Sequence, residues 1–173
     1  MTNLFSLPTF GPGGSVQVVI EASRGSSAKC KFDPQLEAFL YSRPLPRGLT
    51  YPFDWGFIPS TCAEDGDPLD AMVVHSAVCP VGAVVRCRPL AMLKVSQRQE
   101  SEVMRNDRIL LTPIEAATGD DKLLGRGLKD ELEQFFCSSV LGRGKKLTYE
   151  GWSSAAMARD AIKRANREFL AKD

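Results

Sequence analysis

The segment Asp65-Gly66-Asp67-Pro68-Leu69-Asp70 places three carboxylates within six residues, and an apolar run over 71–74 follows it directly. Gly and Pro favour a turn, so no helix can spread the three acids around a cylinder. Like charges in one turn repel each other unless cations lie between them, and hard cations such as Mg²⁺ prefer oxygen ligands of this kind. The apolar run predicts a buried strand, and the acids before it indicate a metal site.

Two other interpretations of this segment compete with a metal site. Asp, Gly and Pro are ordinary turn residues, so a solvated acidic loop has the same composition. A calcium-binding EF-hand loop requires Gly at its sixth position and Glu at its twelfth. This chain has Asp70 and Ser76 there, which argues against the EF-hand. The choice between the remaining two depends on the rest of the chain.

The composition is that of an ordinary globular domain. The chain has 173 residues, of which 43% are hydrophobic and 25% charged, with a formal net charge of +1. This length predicts one domain over 1–173. Neutral charge without a basic, aromatic-rich stripe argues against nucleic acid and against an anionic membrane surface as partners.

The sequence favours a cytoplasmic location. Residues 1–8 lack the basic and long apolar regions of a signal peptide, and no run approaches the roughly 20 apolar residues of a membrane helix. The five cysteines contain no CxxC pair and do not form a disulfide pattern. We therefore expect free, mostly buried thiols in a reducing compartment.

Short extended segments dominate the first two thirds of the chain, and helical patterns come late. Apolar periodicity predicts strands over 16–21, 28–32, 36–41, 55–58, 70–75, 84–95, 108–111 and 145–150. It predicts one helix over 129–138 and a final helix capped by Ser153 or Ser154. Many short strands with two late helices favour an α+β domain, a small curved β-barrel flanked by helices.

Charged residues recur on the segments around the acidic turn. Glu21 ends the first strand, Lys29 lies on the second, Arg43 follows the third, and Arg108 opens a later one. Taken singly, such residues are mostly solvated charges. Acidic metal ligands combined with dispersed Lys and Arg are typical of phosphoryl transfer, because metals and cations neutralise the oxygens of a polyphosphate.

Several short motifs accompany the acidic segment DGDPLDA of residues 65–71. They are VVIE at 18–21, YP at 51–52, GFIP at 56–59, RCRP at 86–89, FF at 135–136 and EGW at 150–152. With these motifs in this order, the chain resembles the soluble, Mg²⁺-dependent inorganic pyrophosphatases of family I over roughly residues 16–152.

The resemblance implies a fold, a reaction and a metal site. The fold is an OB-like five-stranded β-barrel flanked by two α-helices, and the reaction is hydrolysis of pyrophosphate to two phosphates. Asp65 and Asp70 match ligands of the Mg²⁺ pair that activates the attacking water, and Asp67 matches the general base. The family also implies a homo-oligomer, often a hexamer in bacteria.

The resemblance assigns further residues to the substrate. Lys29 and Arg43 match residues that bind phosphate oxygens, and Arg108 stands at a position where the family usually has Lys. Arg keeps the charge but presents a different donor geometry. Glu21 and Tyr51 match residues that act on metal-bound water and on neighbouring side chains.

Some metal-binding positions of the family are altered in this chain. Lys31 replaces a Glu that serves metal binding, and Asn106 replaces a metal-binding Asp. Asn offers an amide oxygen without the charge. A further family Asp lies in the loop that corresponds to residues 96–105, where Glu100 or Glu102 could replace it. Strand alternation directs the neighbouring Asp107 the other way.

Substrate-binding positions also differ. Trp55 replaces a Tyr whose hydroxyl contacts phosphate, and Ser139 and Val140 replace a Tyr-Lys pair that holds the leaving phosphate. The cations of the next turn, Arg143, Lys145 and Lys146, are three candidates for the missing charge.

These substitutions predict an enzyme that needs more Mg²⁺ and turns over more slowly than its relatives, because Lys31 repels cations. Lys31 could instead bind phosphate in place of a lost metal. Two alternatives remain open: a hydrolase of another phosphoanhydride, and a binding or regulatory protein that has lost catalysis. The single histidine, His75, is expected to be structural.

Overall fold

The computed structural model describes residues 3–117 and 119–172, which form nine strands and two α-helices together with three short 3₁₀ turns. The strands are β1 (Val16–Ala22), β2 (Ala28–Asp33), β3 (Ala38–Pro44), β4 (Asp54–Ile58), β5 (Leu69–Val73), β6 (Val84–Gln99), β7 (Glu102–Arg105), β8 (Arg108–Pro113) and β9 (Lys145–Ser154). The helices are α1 (Arg126–Ser139) and α2 (Ala155–Leu170). In these ranges, neither helix combines the length and apolar character that crossing a membrane requires.

Five strands close into a ring. β4 pairs with β1 and β5, β8 pairs with β5 and β6, and β6 returns to β1. Only the β5–β8 pair is parallel among the described pairings of this ring. β7 and β9 extend β6 beyond the ring, and β2 and β3 form a separate hairpin. The ring with its two helices confirms the predicted α+β architecture.

The length of β6 explains how one strand has so many neighbours. Its 16 residues pair with β1 and β8 in the first half and with β7 and β9 in the second. A bulge lies between Pro89 and Ala91, where a residue without a backbone N–H cannot continue the ladder. The sequence pattern predicts this irregularity at Pro89.

Strands β5 and β8 are buried on both faces, which explains their continuous apolar sequences. On β8, Ile109 and Leu111 pack in the cluster that α2 covers, while Leu110 packs in the cluster that α1 covers. Val73 and Met72 alternate in the same way on β5. Burial of each large apolar side chain contributes about 1.5–3 kcal/mol to stability. These two strands therefore hold the polar residues at their ends in fixed positions.

Three predicted segments differ from the structure. The third strand begins at Ala38 rather than 36, because the backbone N–H groups of Gln35 and Leu36 bond to the Asp33 carboxylate at 2.8 and 2.9 Å and hold a turn. Residues 96–105 are not a loop but the β6–β7 hairpin. The last strand continues to Ser154, whose hydroxyl then accepts the Met157 N–H and caps α2.

Candidate active site

One cleft of about 500 Å³ lies where the β2–β3 hairpin, the turn before β5 and the end of α1 meet. All the candidate site residues of the sequence analysis line it. They are Glu21, Lys29, Lys31, Arg43, Tyr51, Trp55, Asp65, Asp67, Asp70, Asn106 and Arg108. The fold therefore brings together residues that are up to 87 positions apart in the chain, from 21 to 108.

The acidic turn is held by its own backbone. The Ala63 N–H donates to the Asp67 carbonyl at 2.8 Å, and the Asp67 N–H donates to the Asp65 carboxylate at 3.2 Å. Gly66 adopts a φ of 86°, a left-handed conformation that a side chain would strain. Burial raises the pKa of Asp65, and the charges of Asp67 and Asp70 act in the same direction. The turn thus concentrates negative charge at the mouth of the cleft.

Arg108 occupies the floor of the cleft between two oxygen donors. Asp70 and Arg108 are register partners on the parallel strands β5 and β8, and the Arg108 Nη1 donates to the Asp70 carboxylate and to the Asn106 amide oxygen. Its guanidinium lies 5.5 Å from the Trp55 ring and 5.7 Å from the Phe136 ring. Arg108 is 7% exposed, and its Nε has no hydrogen-bond partner. The two oxygen acceptors and the two aromatic rings therefore hold the guanidinium in one position on the floor of the cleft.

Lys31 pairs with the predicted general base. Its ammonium lies 3.3 Å from the Asp67 carboxylate, and both side chains are more than half exposed. Partial burial opposes the charge of Lys31, but Asp67 outweighs it and raises the pKa of the ammonium. Lys31 therefore neutralises an acid of the turn in the free protein.

Glu21 is a buried carboxyl group behind the acidic turn. One oxygen accepts the Phe32 N–H at 3.0 Å, and the side chain forms no ion pair with any Lys or Arg of the described chain. Burial raises the pKa of Glu21 to about 7, with the Asp70 charge adding to it and the Phe32 bond opposing it. Glu21 is therefore partly protonated at neutral pH.

Two cations lie side by side on the β2–β3 hairpin. Lys29 and Arg43 are cross-strand register partners beside a bulge at Lys29–Cys30. Burial lowers the pKa of Lys29; Asp70 opposes the shift, whereas Lys31, Arg43 and Arg108 increase it. The Arg43 guanidinium donates to the Pro44 carbonyl at 3.1 Å and to the Ser139 carbonyl at 3.2 Å.

Aromatic rings form the wall behind these charges. Tyr51 stacks on Trp55 with ring centroids 6.1 Å apart and contacts Phe135 at 5.5 Å. Burial raises the pKa of Tyr51 above its usual range, so the hydroxyl stays protonated as a donor. Trp55 is 6% exposed and lies against Arg108, so it shapes the cleft and orients that guanidinium.

Neither glutamate proposed to replace the missing loop aspartate lies at the cleft. Glu100 and Glu102 are exposed on the β6–β7 hairpin and are not among the cleft residues. Gln97 lines the cleft instead and accepts a 3.5 Å hydrogen bond from Asn106. Asp107 accepts the Val95 N–H at 2.9 Å and pairs with Arg105, which keeps it out of the cleft as alternation predicts.

Gln97 is therefore a cleft residue that sequence analysis missed. The sequence pattern predicts a loop from residue 96 onward, whereas β6 continues through this segment with a period of two. Extending the alternation of the buried residues Leu93 and Val95 by one step identifies Gln97.

The turn after α1 also contributes to the cleft. Ser139, Val140, Arg143 and Lys145 line it, and Lys146 does not. Two of the three candidate cations are thus placed at the cleft, and the third is exposed on β9 outside it.

A second titratable cluster lies outside the cleft. The Asp54 carboxylate accepts hydrogen bonds from His75 Nε2 at 2.8 Å and from the N–H groups of Arg24 at 2.7 Å and Cys79 at 2.8 Å. Burial alone would raise the pKa of Asp54, but these bonds outweigh it and lower the pKa. Ligand atoms of Asp54, His75 and Cys79 lie within 4.8 Å of one another. Because the carboxylate already accepts three bonds, we assign the cluster to holding the loop after β5, which agrees with the structural role expected for His75.

The cleft residues suit a hard divalent cation. The side chains of Asp65, Asp67, Asp70 and Asn106 line one end of the cleft and offer only oxygen ligands. Among the described residues that line the cleft there is no His or Cys, the ligands that softer metals prefer.

Comparison with known proteins agrees with this geometry. The sequence model of the pyrophosphatase family, described as inorganic pyrophosphatase, matches residues 18–170. The chain belongs to the inorganic pyrophosphatase family. It is 35% identical over 172 residues to the inorganic pyrophosphatase of Thermus thermophilus, covering 94% of this chain and 95% of the relative. It is 34% identical over 162 residues to that of Aeropyrum pernix, covering 90% and 92%.

Solved structures of this family have the same fold. The Thermus thermophilus inorganic pyrophosphatase superposes with a TM-score of 0.85 at 31% identity, covering 98% of this chain and 99% of that structure. The Helicobacter pylori inorganic pyrophosphatase gives 0.84 at 26% identity, covering 95% and 98%. As a member of this family the chain is a hydrolase of the diphosphatase class.

Proposed function

We propose that this protein catalyses the Mg²⁺-dependent hydrolysis of inorganic pyrophosphate to two phosphates. The observation that supports this most directly is the meeting of three aspartates from one turn with cations from β2, β3 and β8 in a single cleft. A site that binds a metal-complexed polyanion needs both kinds of charge within reach of each other.

The acidic turn provides the metal ligands and the base. Asp65 and Asp70, with the amide oxygen of Asn106, would hold a pair of Mg²⁺ ions. Bound there, the ions would lower the pKa of the attacking water and neutralise charge on the phosphate oxygens. Asp67 accepts the proton of that water on its carboxylate, as a general base within reach of the attacked phosphate.

The cations orient the substrate. Lys29 and Arg43 on the hairpin bind phosphate oxygens from one side of the cleft. Arg108 binds from the floor, where two aromatic rings hold its guanidinium in place. Fixed donors in a partly buried site stabilise developing charge without reorganising, which is the main contribution that protein residues make to phosphoryl transfer.

Glu21 and Tyr51 support this arrangement from behind the charged groups. Glu21 holds the β2 backbone through Phe32, and Tyr51 packs against Trp55, which in turn contacts Arg108. Their substitution is expected to change the positions of the reacting groups rather than to remove one of them.

The chain's own cations compete with Mg²⁺ for the acidic turn. Lys31 pairs with Asp67, and Arg108 pairs with Asp70. A metal that binds these carboxylates has to displace or repel a positive charge, and Asn106 and Gln97 add no negative charge to attract it. These contacts support the expectation of a raised Mg²⁺ requirement and slower turnover. Saturation at low Mg²⁺ with turnover equal to that of its relatives would contradict it.

The decisive experiment measures phosphate released from pyrophosphate by the wild type and by Asp67→Asn, at saturating Mg²⁺. Removal of the base is expected to lower kcat by roughly 10²–10⁴-fold. The control is Asp160→Asn, an exposed aspartate on α2 outside the cleft, which should leave kcat unchanged. Binding of Mg²⁺-pyrophosphate by the wild type without hydrolysis would contradict the proposal and favour a binding or regulatory protein.

We also propose a cytoplasmic homo-oligomer, with the hexamer as the expected form. Large apolar side chains stay exposed on the isolated chain, among them Leu36 at 65% and Leu141 at 67%. Such side chains are often covered by a second copy in an assembly. Analytical ultracentrifugation should give a mass near six chains, and a monomer at micromolar concentration would contradict this expectation.

A further inference from the structure

Three cations of the cleft, from β2, β3 and the turn after α1, form no ion pair with an acid of the described chain. Lys29 and Arg43 are direct cross-strand neighbours, an arrangement of like charges that destabilises a sheet. Arg143 comes to the same cleft from the turn after α1. No ion pair joins Lys29, Arg43 or Arg143 to a carboxylate in the part of the chain that the structure describes.

A tight backbone turn after α1 brings Arg143 to the cleft. Its N–H donates to the Val140 carbonyl at 3.2 Å, which closes a tight turn at the end of the helix. The residues on either side, Gly142 and Gly144, have φ angles of 72° and 65°. Two left-handed residues around one arginine reverse the chain sharply without strain, so the turn ends beside the cleft.

Arg143 and Arg43 act on each other directly. Arg43 bonds to the carbonyl of Ser139, only four positions before Arg143. Burial lowers the pKa of the Arg43 guanidinium, and the charge of Arg143 lowers it further. The free protein therefore holds two guanidinium groups close enough to repel each other, and a bound anion would relieve that repulsion.

Uncharged side chains lie beside these cations in the cleft. Ser139 and Val140, which line this end, carry a small hydroxyl and an uncharged branched side chain. Neither brings a charge to the cleft, so any anion bound here depends on the cations around it. Arginine suits this role because its planar donors match the oxygens of a phosphate.

We propose that Arg143, together with Arg43, binds the phosphate group that leaves during hydrolysis. The proposal rests on the proposed function for the identity of its ligand. Asp67 and the metal ligands lie at the acidic end, so the attacked phosphorus lies there. The second phosphate of the substrate then extends toward Arg43 and Arg143, and it departs with the bridging oxygen when the P–O bond to the attacked phosphorus breaks.

The test measures binding of imidodiphosphate, a pyrophosphate analogue with a nitrogen bridge, by isothermal titration calorimetry in the presence of Mg²⁺. Arg143→Ala is expected to weaken binding about 10- to 100-fold, the usual effect of a lost charge-assisted bond. Arg143→Lys should recover part of the affinity, because it restores the charge but not the planar fork. The matched control is Lys146→Ala, an exposed cation three positions along that does not line the cleft and should change affinity less than about twofold.

The stability of the free protein distinguishes a ligand-binding role of Arg143 from a structural one. Because Arg143 is exposed and repels Arg43, Arg143→Ala should unfold at the wild-type temperature or slightly above it. A lowered unfolding temperature together with weaker binding would overturn the proposal in favour of a structural role.

The other possible results of the titration also test the proposed subsite. Equal affinity of Arg143→Ala and the wild type, or no binding by the wild type, overturns the subsite. If the wild type binds imidodiphosphate through Arg143 but releases no phosphate from pyrophosphate, the subsite stands and the proposed hydrolysis fails.

Discussion

The two ends of the cleft handle their charges in opposite ways. At the acidic end, the chain supplies counter-ions to its own carboxylates: Lys31 to Asp67, and Arg108 to Asp70. At the end facing α1, Arg43 and Arg143 bond to carbonyls or to no partner, and no described carboxylate pairs with them. The free protein is thus partly neutralised where metals are expected and left charged where the substrate anion is expected.

This difference indicates that the free protein favours binding of an anion and opposes binding of a metal cation. An anion that reaches the α1-facing end relieves repulsion already present in the free protein, whereas a cation at the acidic end competes with ammonium and guanidinium groups. Metal binding and substrate binding should therefore be coupled, because phosphate oxygens can draw Lys31 and Arg108 away from the carboxylates.

The largest effect is expected from Asp70→Asn. Arg108 is 7% exposed and its carboxylate partner in the described chain is Asp70, so the variant leaves a buried charge without an acid. We expect a loss of about 2–4 kcal/mol in the free energy of unfolding, and hydrolysis reduced at least 10³-fold because a metal ligand is lost. Urea denaturation and a phosphate-release assay measure the two effects.

Arg143→Ala is the matching variant at the opposite end. It removes an exposed, unpaired cation, so its unfolding curve in urea should overlay that of the wild type. If Asp70→Asn and Arg143→Ala were equally stable, the contrast between a paired and an unpaired end would be wrong.

A smaller effect is expected from Glu21→Gln in metal-free buffer. Glu21 has no cation partner in the described chain, and its pKa of about 7 lies above the value near 4.5 expected when unfolded. Its folded state keeps a proton that the unfolded state releases, so this stabilisation is full below about pH 4.5 and is lost as the pH rises to 7. The variant should be more stable than the wild type by about 3 kcal/mol at pH 8 and equal to it at pH 4.

Chemical denaturation at a series of pH values, with a chelator present, checks this prediction. A wild type whose stability did not fall between pH 5 and 7 relative to Glu21→Gln would show that Glu21 is charged in the folded state. The acidic end would then carry more negative charge than the structure indicates.

The smallest effect is expected from Lys31→Gln. Its ion pair with Asp67 is more than half exposed, so solvent screens much of the charge. Removing Lys31 should lower the Mn²⁺ concentration for half-saturation of the free protein by about 3- to 10-fold. Mn²⁺ binding followed by electron paramagnetic resonance measures this without substrate, with Lys146→Gln as the exposed control. Unchanged or weaker Mn²⁺ binding would mean that Lys31 does not compete with the metal.

Much of the site could be read from local patterns. Asp65, Asp67 and Asp70 lie within six residues of the sequence, so their meeting needs only the turn that Gly66 and Pro68 favour. The apolar runs of β5 and β8 predict buried strands because both faces are covered, and the ends of those strands carry Asp70 and Arg108. The roles assigned to these residues remain predictions that the variants above address.

Other features depend on contacts between distant segments. Lys31 was expected to repel metal or to bind phosphate, and its pairing with Asp67 arises only when the hairpin folds over the turn. Gln97 was hidden because the length of a strand depends on its partners, and β6 continues past 95 by pairing with β7 and β9. The sequence gives no reason to prefer Arg143 over Lys146 as a cleft cation. The turn after α1 places Arg143 at the cleft and Lys146 outside it.

Local sequence patterns are enough to establish which charges this protein has and which short segments carry them, because turns and strand alternation act over a few residues. Which of these charges face each other depends on how distant segments pack in the folded chain. Pairing across the ring joins Asp70 to Arg108, whereas the β2–β3 hairpin and the end of α1 leave Arg43 and Arg143 without an acid. Electrostatic energy depends on the distance in space between charges, and spacing along the chain does not contain that distance.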